Sequence, residues 1–147
     1  MRIIFFTCAE SAAIDQATNR VSIFHVIEEI LSPVLPGAWP QMLVVAVGIR
    51  EDGEPSVFNM TLRVTLTGRE QPLLEGPFMI DFQNRPRARA LGQIAGLVLP
   101  GPGVLRFAMF YGDREMAAWD INVTQIGAPV VINQPTPVAP AGVSQAQ

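Results

Sequence analysis

Apolar and polar positions alternate along this chain in about eight short stretches, separated by turns rich in Gly, Pro, Asn and Asp. The alternation is cleanest over Val57–Thr67. Phe58, Met60, Leu62, Val64 and Leu66 share one side, and Asn59, Thr61, Arg63 and Thr65 share the other. A period of two predicts a strand with one buried and one wet face, as in an antiparallel sheet. Leu73–Phe82 repeats the pattern with Leu74, Phe78, Ile80 and Phe82 inward, and Pro77 inside it marks an edge strand or a bulge. Val104–Tyr111 and Glu115–Thr124 form a hairpin around Gly112-Asp113-Arg114. Ala117, Trp119, Ile121 and Val123 then oppose Asp120, Asn122 and Thr124.

The remaining stretches are less regular. Arg2–Cys8 is apolar on both faces, as a central buried strand is. Asp15–Arg20 is a polar turn, and Val21–Ile27 is β-branched and aromatic, so the two apolar runs predict a first hairpin. Glu28–Leu31 admits a helical turn. Ser32–Pro40 contains Pro33, Pro36 and Pro40 and reads as an irregular crossover loop between sheets. Met42–Ile49 is a continuous apolar strand, Glu51–Pro55 an exposed turn, Ala90–Leu99 a strand interrupted by Gly92 and Gly96, and Pro100–Gly103 a tight turn. These elements predict an all-β, antiparallel β-sandwich of about eight strands over residues 1–126. A closed β-barrel is the alternative. Residues 127–147 carry Pro129, Pro135, Pro137 and Pro140 and no charge, which predicts a disordered tail. Within it, Pro129–Asn133 is apolar enough to add a strand to its own sheet or to a neighbouring subunit.

Composition narrows the function. The chain has 147 residues, 49% of them hydrophobic, so one core suffices. Only 16% are charged, which leaves apolar surface after folding and points to self-association. The net charge is −3, and all ten basic residues are Arg. No overall basic footprint is present, which argues against nucleic acid. No stretch approaches the ~20 apolar residues of a membrane helix. The run Ile3–Phe6 is shorter than the roughly seven residues of a signal core. The expected location is therefore the cytoplasm, away from membranes.

Candidate chemistry is sparse. Arg85, Arg87 and Arg89 are spaced by two, which puts them on one side of an extended segment. Aligned guanidiniums suit a phosphate, a carboxylate or an acidic partner surface. They equally suit a charged edge that blocks unwanted strand pairing. Trp39, between Ala38 and Pro40, is either a binding aromatic or a cover over one end of the core. Cys8 is the one cysteine, so no intrachain disulfide forms, and His25 is the one histidine. Such a pair is one way to activate a thiolate, but an inert core thiol is the ordinary role of a free cysteine. Two such residues also fall short of the four ligands of structural zinc. Asp52, Glu54, Asp113 and Glu115 sit in two turns, where solvated carboxylates are commoner than calcium loops. No metal or cofactor is expected.

Cys8-Ala-Glu-Ser-Ala-Ala-Ile-Asp15, the turn through Asn19, and the following run to Ile30 have a distinctive order. With the loop Leu35-Pro-Gly-Ala-Trp-Pro40 and the turn Pro102-Gly103 before Phe107, this order resembles a family of short, uncharacterised bacterial proteins carrying a domain of unknown function. The resemblance implies a β-sandwich and carries over no activity. The expected function is non-catalytic binding, to a second copy of the chain or to another protein. The first alternative is a small-ligand or anion binder using the Arg85–Arg89 edge. The second is an enzyme with a non-standard site, which would need convergent titratable groups.

Overall fold

The Val57–Thr67 alternation becomes a ten-residue strand with all five expected apolar side chains buried. It is one of nine strands in this computed structural model, which describes residues 1–127. In chain order they are β1 (Arg2–Asp15), β2 (Arg20–Val26), β3 (Glu29–Ser32), β4 (Gly37–Ile49), β5 (Val57–Leu66), β6 (Leu74–Asp81), β7 (Arg87–Leu99), β8 (Gly103–Tyr111) and β9 (Arg114–Gln125). They form a four-stranded sheet in the order β2-β1-β4-β7 and a five-stranded sheet in the order β3-β9-β8-β5-β6. One apolar cluster lies between them. Phe6 and Cys8 of β1, Met42, Val44 and Ala46 of β4, and Ile94 of β7 meet the inward residues of β5, Phe78 and Ile80 of β6, Phe107 of β8 and Ile121 of β9. The arrangement is the expected all-β sandwich, and Pro77 lies on β6, an edge strand.

Three local expectations are corrected. Glu28–Leu31 is not a helical turn. Glu29–Ser32 forms β3, a ninth strand, parallel to β9. Asn122 N–H donates to Glu28 O and Ile126 N–H to Ser32 O, each at 3.0 Å, while Ile30 is buried. A distant partner thus supplies the backbone bonds that a local helix would have supplied. The crossover loop is shorter than expected, because Gly37–Pro40 belongs to β4. The last pairing of β4 with β1 is Ala9↔Leu43, so Pro40 lies where β4 has a neighbour on one side only. A residue lacking an N–H is tolerated there. Finally, β1 runs on to Asp15, well past Cys8. The expected disordered tail, with its apolar Pro129–Asn133, falls on residues 128–147 and lies outside the described residues.

The end of the β1–β2 hairpin leans across the outer face of the four-stranded sheet. β2 and β7 are the opposite edges of that sheet. Three strand spacings separate them, about 14 Å if flat. Yet Arg89 of β7 donates to the carbonyl of Asn19, in the hairpin turn, at 2.8 Å. The inward phase of β2, Val21 and Ile23, is half-buried, whereas Ser22 and Phe24 are exposed. Thr7, Ala9 and Val45 are fully buried although they point away from the central core. The sheet is therefore covered in part on its outer side, by its own hairpin.

Candidate functional site

The arginine triplet begins in the β6–β7 turn and ends on β7. Gln83 and Asn84 adopt φ of 49° and 58°, the left-handed region that Asn tolerates best among side-chain-bearing residues. Each link of the turn is held. Gln83 N–H donates to Asp81 Oδ1, Asn84 N–H to Ser56 Oγ and Arg85 N–H to Phe82 O, all at 2.8 Å. Arg50 secures the next link from outside. Its backbone N–H reaches Pro86 O at 2.9 Å, its Nε reaches Arg85 O at 3.0 Å, and its guanidinium lies over the Phe82 ring. From Arg87 onward the strand alternates. Ala88 and Ala90 pack toward the core, while Arg87 and Arg89 stand opposite Ile49 and Val47 on the outer face.

Together these elements enclose a cleft of about 500 Å³. Its walls are Asn19 and Val21 of the hairpin, Val47 of β4, Asp81–Gln83, and Arg85 with Arg87–Arg89. Arg89 is engaged by Asn19, through the backbone carbonyl and the side-chain oxygen. Among the described residues, no hydrogen bond or ion pair holds the guanidinium of Arg85 or Arg87. Asp81 supplies the one carboxylate of the lining. All three arginines line one cleft, Arg85 from the turn and Arg87 and Arg89 from the strand. The hairpin wall was not foreseeable: Asn19 is 70 residues from Arg89 in sequence, and Asp15–Arg20 announces only a turn.

Trp39 is not part of this cleft. It lies on β4 opposite Leu97, eight residues before Val47 and so roughly 26 Å away along the strand. It is half-buried against the core, and its indole N–H donates to Gln41 O at 2.9 Å. Its place is a cover over one end of the sandwich.

Cys8 and His25 lie on paired strands but in opposite surroundings. Cys8 is fully buried, and desolvation pushes its thiol pKa far up, away from the thiolate. His25 is exposed, with Nδ1 2.8 Å from Glu10 Oε2. Two of the turn carboxylates, Glu54 and Glu115, are engaged individually. Glu54 accepts from the Met1 amino group and from Glu51 N–H, and Glu115 pairs with Arg106. Among the described residues, no three His, Cys, Asp or Glu side chains gather as a metal site would need. No helix there is long and apolar enough to cross a membrane.

The outer faces of the two sheets differ in charge. The five-stranded sheet carries Arg63–Glu75 and Arg106 with Glu115 and Asp120, and Arg63 also covers Phe110. Where β1 still pairs with β4, the outward positions of β1, β4 and β7 are Phe5, Thr7 and Ala9, then Leu43, Val45 and Val47, then Arg87, Arg89, Leu91 and Gln93. No carboxylate is among them. Farther along, the outward phase of β1 runs through Ser11 and Ala13 to Asp15 in the hairpin. Phe5 is 44% exposed and Leu91 38%.

The model of a family of unknown function, DUF6941, matches residues 4–124. No curated protein matches the chain.

Proposed function

The chain belongs to DUF6941, a family of unknown function, and we propose from its own surface that it is a non-catalytic binding module that self-associates. The observation that carries this reading is the outer face of β1, β4 and β7. Its central Thr7, Ala9 and Val45 are already covered, and around them, in the part where β1 pairs with β4, it carries no carboxylate and exposes Phe5 and Leu91. A two-fold dimer brings identical patches together. A patch without carboxylates or central charges meets its own copy without a desolvation penalty for buried ions. The opposite outer face is laced with ion pairs around its exposed Val57, Met79 and Val104. The low charge content of the whole chain supports the same reading. So do the titratable groups, since the Cys8 thiol is buried and the exposed His25 is engaged by Glu10. A bacterial, cytoplasmic setting goes with this proposal, supported by the single reduced cysteine.

Sedimentation velocity over a micromolar concentration series tests it. The wild-type chain should dimerise, and a Phe5→Ser, Leu91→Ser double variant should sediment as a monomer with an unchanged circular dichroism spectrum. A wild-type chain that stays monomeric throughout, or a variant that dimerises equally well, overturns the proposal.

A further inference from the structure

We propose that the cleft at the start of β7 is a binding site for a phosphate monoester. The inference uses a different kind of contact from self-association, although Val47, Arg87 and Arg89 of the cleft stand on the same outer face. It begins with charge. Arg85, Arg87 and Arg89 contribute three positive charges. Asp81 returns one negative charge, so three minus one leaves the lining at +2. A phosphate monoester carries about −1.5 to −2 at neutral pH, which neutralises that lining. A carboxylate carries half as much and leaves a cation uncompensated in the cleft. Shape points the same way. Guanidinium forks bind oxyanions through paired N–H donors, and three forks match the three terminal oxygens of an ester better than the two of a carboxylate.

The site is also built in advance. The backbone carrying Arg85 and Pro86 is tied to Arg50 by two hydrogen bonds, to Arg85 O and Pro86 O, and Arg50 is itself held by Nη1 donating to Glu54 O. Arg87 and Arg89 are fixed in register by β4. Arg89 spends two N–H donors on Asn19, which leaves it three and holds its guanidinium in place. Ordering of this kind lowers the cost of binding. The two guanidiniums that lack a protein partner among the described residues, Arg85 and Arg87, are those nearest the turn. The volume, about 500 Å³, lies within the range of small-molecule sites and exceeds what a bare phosphate fills. Val21, Val47 and Ala88 supply an apolar wall for the organic group of the ester.

The competing role is that of a guard. β7 is an edge strand, and cations on an edge discourage pairing with another chain. A guard needs charge on the edge. It needs neither a cleft, nor a hairpin folded across to form its far wall, nor a turn whose every backbone donor is engaged.

Isothermal titration of the full chain at low salt separates the two roles, with phenyl phosphate, inorganic phosphate and benzoate as probes. Phenyl phosphate should bind saturably, at least about tenfold more tightly than benzoate and more tightly than inorganic phosphate. Added salt should weaken it, since the contacts are partly open to solvent. Arg85→Gln with Arg87→Gln should weaken it at least about tenfold at unchanged circular dichroism. Arg69→Gln with Arg114→Gln, which removes the same charge away from the cleft, should leave it unaltered. Absence of saturable binding overturns the proposal, as does an equal loss in the two double variants. A cleft variant that binds phenyl phosphate normally but aggregates more readily overturns it too, and assigns the arginines to guarding the edge.

Discussion

Phe107 has no exposed surface and stands on β8 between Val64 of β5 and Trp119 of β9. Its neighbours belong to regular strands and cannot collapse into the space it fills. Phe107→Ala should therefore cost about 3–5 kcal/mol in denaturant unfolding. A loss below about 1 kcal/mol, the range of surface changes, would show that the inward phase of β8 is misassigned. Gly92 tests the same core by addition. A Cβ built there would stand 2.5 Å from Cε2 of Phe78, whose ring is buried on β6. Gly92→Ala must displace that ring where the edges of the two sheets meet, and the expected cost is about 1–3 kcal/mol. The sequence shows Gly92 only as an interruption of an apolar strand. It does not show the ring for which the missing side chain makes room.

The hairpin is the element most exposed to test. Asp15 Oδ1 accepts the N–H groups of Ala17 at 2.8 Å and Thr18 at 3.2 Å, closing the turn that carries Asn19. The bond from Thr18 and then that from Ala17 hold the Asp15 pKa below the ordinary 3.8. A lowered carboxylate pKa means that the charged form favours the folded turn. Its contribution is complete above 3.8 and fades as pH falls through the lower, folded value. Asp15→Ala should thus lower the thermal midpoint at neutral pH and speed amide exchange across β2. The difference from wild type should shrink in acid. A gap that persists unchanged at the lowest pH would mean that the carboxylate is not what holds the turn. Legibility also differs by element. β5, β6, β8 and β9 are readable because one face of each is wet, and alternation reports a wet face. β3 is four residues long, and its partner lies about ninety residues on, so no local pattern marks it. The far end of β1, Ala9–Ile14, is written in small and polar residues whose pairing with β2, rather than hydrophobicity, makes them a strand.

At the scale of the whole molecule, the sandwich follows from counting apolar phases, whereas the cleft follows from topology. The spacing of Arg85, Arg87 and Arg89 forecasts that they share a side. Only the hairpin leaning from one sheet edge toward the other turns that side into a cavity. The same distinction bears on assembly, because two parts of the chain are apolar enough to join copies: the outer face around Phe5 and Leu91, and Pro129–Asn133, outside the described residues. Among the described residues, every member of the buried cluster lies between Phe6 and Val123. A chain ending at Gly127 should therefore keep the thermal midpoint of the full chain, as a terminus that adds nothing to a core does when removed. Sedimentation of that shortened chain then identifies the contact. If it still dimerises while the Phe5→Ser, Leu91→Ser variant does not, the sheet face holds the dimer. If shortening alone gives a monomer at an unchanged midpoint, residues after Gly127 act as the arm between copies, by adding a strand to a neighbour's open edge, and the sheet face is not the interface.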